Sequence, residues 1–423
     1  MSRKFFAIIA ALPLVACGLE GADTAETESE TVARADTPDF GYETAGEDNY
    51  ADTMASNDEA YLAATRSGAA MNGESEAIGA GSDSANANDV PDPRERPIMH
   101  AQVVLDRQGF GPGVIDGAMG QSTRNAIKGF QEANDLEVTG ELDDATKQAL
   151  NEWERIPATR VVTIPASWAN LEFTEIPDDP AEQAAMERMS YESLDEKVAE
   201  RFHTTVAVLE QLNPNGKPEG APSASASPTP RATQSAQGST ATNSVFRAGQ
   251  QIRVPNIGAD RISPGAIQDR GWQQTLASLG VGSDQPEVTR VVVDESEGWL
   301  KGFDAQGKLV AMFTVTTGSE NDPLPVGDWG VTGIAYNPPF SYQPELFWDV
   351  PDTEEEQQLP PGPNGPVGVV WIDLTKEHYG IHGTSAPETI GSVESHGCVR
   401  LTNWDAARLA GMVNTDTEVL FQR

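Results

Sequence analysis

The spacing of apolar residues separates stretches of the chain that have a period from stretches that have none. Phe5 to Val15 is a continuous apolar run behind Arg3 and Lys4, too short to cross a bilayer as a helix. From Leu19 to about Asp92 apolar residues are scattered among Asp, Glu, Ala, Ser, Gly, Asn and Thr, which predicts a tether with no core of its own. Met99, Val103, Val104 and Leu105 then fall on one helical stripe, which Gly109, Gly111, Pro112 and Gly113 end. Asp116-Gly117 makes a turn. Ser122 or Thr123 is placed to cap a second helix carrying Ala126, Ile127 and Phe130, and a third helix is expected from about Asp143 to Trp153. Val161 to Ile164 has strand character. Tyr191 to Phe202 is amphipathic, with Leu194, Val198, Ala199 and Phe202 inward, and Val206, Leu209 and Leu212 continue on another helix. A low-complexity insert at 216–244 separates these from a strand over Gly249–Pro255.

From about Val288 the pattern becomes β-rich. Strands are predicted at Thr289–Asp294, Leu309–Thr316, Gly327–Thr332, Val367–Leu374, Tyr379–His382 and Glu418–Phe421, punctuated by Gly318, Pro323, Pro325 and the prolines at 338–339 and 360–366. One helix is expected from Trp404 to Val413, with Thr402 or Asn403 as its N-cap. The fold class is therefore multidomain: a leader at 1–16, an acidic tether at 17–95, a small all-α bundle at 96–155, an α+β module at 160–256 and a mainly-β domain at 288–423 with a C-terminal helix. The tryptophans Trp329, Trp348 and Trp371 are expected in its core, and His203 at the surface or at a helix cap.

Composition narrows the function classes. The chain carries 28 Lys+Arg against 65 Asp+Glu, a formal net charge of -37, which repels nucleic acid and anionic lipid surfaces. There are only two cysteines, Cys17 and Cys398, too few for a disulfide framework. Leu14-Val15-Ala16-Cys17-Gly18 resembles a bacterial lipobox. That resemblance implies lipidation of Cys17, cleavage before it and an exported protein whose membrane partner is reached through acyl chains. The alternative is an ordinary signal peptide with a chance cysteine.

The candidate chemistry lies between His382 and Arg400. His382-Gly383-Thr384 follows a strand, and Ser395-His396-Gly397-Cys398-Val399-Arg400 follows a short loop. A thiol becomes a nucleophile only when its proton is taken, and an imidazole within reach can take it and return it to a leaving amine. Gly397 allows close approach of backbone amides to a developing oxyanion. The competing readings are a buried, inert cysteine and a zinc site built from His382, His396 and Cys398 with His378, the last being otherwise structural.

These residues resemble the L,D-transpeptidase (YkuD-type) catalytic domain, whose fold is a β-rich sandwich. The resemblance implies Cys398 as nucleophile, His382 as general base and acid with its ring oriented by the Gly383 carbonyl, and the amides of His396, Gly397 and Cys398 as oxyanion hole. Arg400, with Ser395 and Thr384, would hold the substrate. It implies no metal and no organic cofactor. The 96–155 segment resembles the peptidoglycan-binding type 1 module through Gln102, Val103, Leu105, Gly109, Phe110, Ile115-Asp116-Gly117, Gly120, Thr123, Ala126, Phe130-Gln131, Gly140 and Leu142. The next resembles a LysM module through Ala199 to Phe202, Leu209, Leu212 to Pro214 and Ala248 to Gln250. The implied partners are peptidoglycan stem peptides and glycan strands. Both modules then act as tethers that raise effective substrate concentration, dispensable for chemistry on small soluble stems. Two rivals are a hydrolase using the same thioester and a wall-anchoring protein that only binds stems.

Overall fold

The structure, a computed structural model, describes residues 90–221, 244–258, 261–319, 321–347, 350 and 354–423. Cys17, the leader, nearly all of the tether, most of the low-complexity insert and Trp348 lie outside the described residues.

The first folded segment has α1 (Pro97–Arg107), the two-residue strand β1 (Phe110–Gly111), α2 (Gln121–Ala133) and α3 (Asp144–Leu150). The N-cap of α2 is Gly120, so the expected caps Ser122 and Thr123 lie inside the helix. Thr123 is buried because its hydroxyl donates to the Ala118 carbonyl and accepts from the Gln102 amide. Two buried amides hold the turns: Gln102 spans Asp116, Gly117 and Ala118, and Gln131 spans Thr139 to Thr146. α3 is capped by Asp143, whose carboxylate accepts the Thr146 amide at 2.8 Å. It is shorter than expected and passes into a 3₁₀ turn at Asn151–Trp153.

The second segment runs β2 (Thr159–Thr163), a short α4 (Pro180–Ala184), α5 (Leu194–Arg201), α6 (Val206–Leu212) and β3 (Gln251–Pro255). Ser193 and Thr205 cap the two main helices. β2 and β3 pair antiparallel although far apart in sequence. Asn213 fastens that closure, donating to the Leu209 and Arg253 carbonyls and accepting the Arg253 amide. A helix absent from the sequence reading, α7 (Arg270–Leu279), follows and ends at Gly280 in the left-handed region.

The last segment supplies β4 (Arg290–Asp294), β5 (Trp299–Phe303), β6 (Leu309–Thr314), β7 (Gly327–Tyr336), β8 (Phe340–Tyr342), β9 (Gln357–Leu359), β10 (Val370–Leu374), β11 (Gly380–His382), β12 (Val399–Arg400), α8 (Asn403–Met412) and β13 (Glu418–Gln422). Nine strands form one sheet in the order β1-β6-β5-β4-β13-β7-β10-β11-β12. β7 serves two neighbours: Gly327 to Gly330 pair with β13, and Val331 to Tyr336 with β10. At the far edge Arg400 and Thr316, just past β6, exchange backbone bonds of 2.8 and 3.1 Å, which brings the sheet back on itself. α8, capped by Thr402, fills the core with Trp404, Ala406, Leu409 and Ala410.

The segments are not independent tethers. β1 adds in parallel to β6 of the large sheet. α1 is buried nearly all round, Gln102 and Asp106 included, and its apolar sides enter two cores. Met99 and Val103 pack with the α5–α6 segment, while Ala101, Val104 and Leu105 pack with Val292, Trp299, Leu309 and Met312 of the sheet. Where all three segments meet, charge is buried. The Asp106 carboxylate accepts from both Arg408 Nη atoms at 2.9 and 3.0 Å and from His203 Nδ1 at 3.1 Å. His203 is therefore not a surface residue: it is fully buried, its Nε2 faces the Leu279 carbonyl at 2.9 Å, and its ring stacks on Trp404. Both ring nitrogens face oxygen atoms. The Arg408 and His203 charges hold Asp106 well below the usual carboxylate range against the opposing effect of burial.

Candidate active site

β11 and β12 run parallel, with Ile381 opposite Val399 and His382 opposite Arg400. Side chains directly opposite on paired strands share a face, so His382 and Arg400 line one side of this strand pair, and Cys398 lies in the bend just before β12, where the Gly380 backbone and the Arg400 charge act on it. Trp371 of β10 lies directly opposite His382 on that face, its ring stacked 5.5 Å away at 22°. Gly380 is glycine because a Cβ there would stand 2.5 Å from the Trp371 ring. Trp371 is thus a wall of the site rather than a core residue. Trp329 is likewise only partly buried, its indole N–H donating to the Pro325 carbonyl.

His382 is 4% exposed, and its Nδ1 sits 2.7 Å from the Gly383 carbonyl. A carbonyl only accepts, so Nδ1 carries the proton and Nε2 keeps its lone pair. Burial first, and the Arg400 charge second, push the imidazole down to about 3, so the ring is neutral at physiological pH. Behind Gly383 stands Asn403, the first residue of α8. Its Oδ1 occupies the space a Gly383 Cβ would need, 2.2 Å away, and it accepts the Val369 amide at 3.2 Å. Its Nδ2 donates to Glu200 on α5 at 2.7 Å and to the Pro363 carbonyl at 3.0 Å. Burial raises Glu200 to about 7. The loop that orients His382 therefore rests on a residue of the middle segment.

Cys398 is a free, partly exposed thiol, its Sγ 3.8 Å from the His378 carbonyl. Burial raises it above the ordinary thiol value, partly offset by a hydrogen bond from the Gly380 backbone and by the Arg400 charge, while Asp322 adds to the rise. Gly397 has φ +96°, and a Cβ there would lie 2.6 Å from the Tyr379 ring, so the bend before Cys398 admits only glycine. The His396 ring packs edge-to-face on Phe347 at 5.1 Å, and Phe347 stacks in turn on Tyr342 of β8. His378 has φ +64° and a half-exposed side chain, its carbonyl rather than its ring facing Cys398. Among the described residues no group of three His, Cys, Asp or Glu side chains is placed to hold a metal ion.

Ser395 and Thr384, expected at the substrate, each make a hydrogen bond within their own loop. Ser395 is 3% exposed and its hydroxyl donates to the Cys398 carbonyl at 2.7 Å. The Thr384 hydroxyl accepts the Ala386 amide at 3.3 Å across its turn. Arg400 is partly buried with its Nε unpaired, and burial draws it below the ordinary guanidinium value. Residues that the motifs did not announce are Trp371, Tyr379, Phe347 and Asp322.

Comparison with known proteins adds to this geometry. Residues 288–420 match the model of the L,D-transpeptidase catalytic domain (YkuD), and residues 94–150 match that described as "Putative peptidoglycan binding domain". The chain carries both domains. The chain is similar to "Putative L,D-transpeptidase YkuD" of Bacillus licheniformis, 49% identical over 59 residues, which are 14% of this chain and 36% of that protein. It is also similar to "Putative L,D-transpeptidase YqjB" of Bacillus subtilis, 29% identical over 119 residues, 27% of this chain and 60% of that one. The matched region thus spans roughly a third to three fifths of these relatives' lengths. Among solved structures, an L,D-transpeptidase from Mycobacterium smegmatis is matched with a TM-score of 0.27 at 19% identity, covering 32% of this chain and 59% of that one.

Proposed function

We infer that the transpeptidase domain cuts and re-forms peptide bonds in peptidoglycan stems through a thioester on Cys398. The observation that carries this reading is the pairing of His382 with Arg400, two residues past Cys398, with a neutral imidazole whose Nε2 lone pair is left free by the bond of Nδ1 to Gly383. The thiol gives its proton to His382 Nε2 as Sγ attacks the carbonyl that joins diaminopimelate to a terminal D-alanine. The C–N bond breaks, the amine of D-alanine takes that proton, and the thioester remains. The amine of a second stem then attacks the thioester, gives its proton to His382, and Cys398 leaves as a thiol. The amides of His396, Gly397 and Cys398 face the oxyanion in each addition, and Arg400 holds a substrate carboxylate through its unpaired edge.

Outside the site, the reading extends to an exported protein lipidated at Cys17 and to glycan binding by the middle segment. Its β2–α5–α6–β3 order and Asn213 clasp are compatible with a LysM-like module. The test is mass spectrometry of tetrapeptide stems after incubation with the full chain. Cross-linked dimers that have lost one D-alanine are expected. Tripeptides alone, without dimers, would make water the acceptor, and unchanged stems would overturn the reading.

A further inference from the structure

The loop from Thr317 to Leu324 carries a buried charge that the mechanism above does not use. The loop is fastened to the nucleophile segment at its root: the Ser395 amide donates to the Thr317 carbonyl at 2.9 Å, next to the Thr316–Arg400 pair. It turns back through Ser319 and Asp322, each donating its amide to the other residue, at 2.9 and 3.1 Å. Gly318 permits the turn, since a Cβ there would lie 2.3 Å from the Asp322 carbonyl oxygen. Leu324 anchors the far end in the core. The turn leaves the Asp322 Oδ2 atom buried with no hydrogen-bond partner.

A buried carboxylate oxygen without a donor is expensive, and such a group in a native protein calls for an explanation. Arg400 Nε is buried and unpaired in the same way. No described ion pair joins Asp322 to Arg400, although their opposite charges would favour one. Both act on the same atom: the Cys398 thiolate is favoured by Arg400 and opposed by Asp322, and Asp322 also acts on the Tyr379 phenol that borders Gly397. An unpaired buried atom of each sign therefore stands by the nucleophile segment: Arg400 Nε two residues past Cys398, and Asp322 Oδ2 on the loop whose root is bonded to Ser395. Their complement is a small group bearing both an ammonium and a carboxylate.

We propose that Asp322 and Arg400 form a subsite for a zwitterionic α-amino-acid centre, with Asp322 holding the ammonium. This rests on the stem-peptide reading above and adds to it the residue that recognises the amine. The ammonium has two sources, the free amine on the stem whose carbonyl is attacked and the amine of the acceptor stem.

The experiment is protection of Cys398 from iodoacetamide, which needs no turnover and so stands apart from the functional reading. Free diaminopimelate is the probe, with its N,N′-diacetylated form, which keeps no ammonium, as control, on the full-length wild type and on Asp322→Asn. In the wild type, diaminopimelate is expected to slow alkylation and the acetylated form not to. In Asp322→Asn the concentration needed for protection should rise about tenfold or more. Its alkylation without ligand should be faster than wild type near neutral pH, because a charge opposing the thiolate is gone. A misfolded variant would not show that pair of opposite changes. Equal protection by both compounds, or unchanged protection in Asp322→Asn, overturns the proposal. D-alanine release from stems separates the sources. A raised KM for release assigns the ammonium to the donor stem, and unchanged release with less transfer to added amine assigns it to the acceptor. D-alanine release with no change in either would also overturn it, while leaving the stem-peptide reading standing.

Discussion

Replacing His382 with alanine will slow thioester formation by about 10² to 10⁴, the range usual for loss of a general base. The structure puts His382 in a defined state: Nδ1 donates to Gly383, Nε2 is free, and burial with the Arg400 charge keeps the ring neutral down to about 3. Cys398 is raised by burial, so the resting pair is a neutral thiol beside a neutral imidazole, and the proton moves during attack. A pH profile follows from the sign of these shifts. A base must be unprotonated to act, and a histidine at its ordinary value near 6.5 would lose activity as pH falls through that point. Here the loss from His382 protonation is displaced to about 3, so kcat/KM for D-alanine release should show no histidine limb between pH 7 and 4. His396→Ala should cost much less, since its ring rests on Phe347. A larger loss from His396→Ala than from His382→Ala would reverse the two roles.

Asp106→Ala will destabilise the whole described fold, not only its first segment. Asp106 and Arg408 have side chains 0% and 4% exposed, and removing Asp106 takes away the carboxylate that accepts from both Arg408 Nη atoms in a buried site. Breaking such a pair costs about 3–5 kcal/mol, a large part of a typical domain's stability. The expected result is a thermal midpoint lowered by several degrees or more, with transpeptidase activity lost at the same temperature. The same packing predicts that deleting residues 96–155 uncovers β6 and removes the Asp106 carboxylate from Arg408, so the 288–423 domain alone should express poorly rather than keep full activity on small stems. An Asp106→Ala protein melting with the wild type would show that the three segments are merely adjacent.

How much could be read from the sequence depended on how local each signal was. Thr402 as cap of α8, the strands near Arg290 and Glu418, and the His382-Gly383-Thr384 and Ser395 to Arg400 motifs are contiguous, and a contiguous signal survives without knowledge of the fold. β5 was missed because Trp299-Leu300-Lys301-Gly302-Phe303 lacks clean alternation: it is sandwiched between β4 and β6, and α1 and α2 cover one side. Trp371 reaches His382 only through the β10–β11 register, and the loop carrying Asp322 is brought to the Ser395–Arg400 segment by the Thr317–Ser395 bond and the Thr316–Arg400 bridge. His203 looked like a surface residue because its partners, Asp106, Leu279 and Trp404, come from three other elements. Ser122 and Thr123 looked like caps by residue type, but the buried Gln102 network claims Thr123 and moves the helix start to Gly120.

The central claim is that Cys398 carries the acyl group, and intact-protein mass after rapid acid quenching with a tetrapeptide stem tests it most directly. The account predicts an adduct equal to the stem less D-alanine, located on Cys398 by peptide mapping and absent from Cys398→Ala. D-alanine release that continues in Cys398→Ala, or an adduct mapped to any other residue, would contradict it.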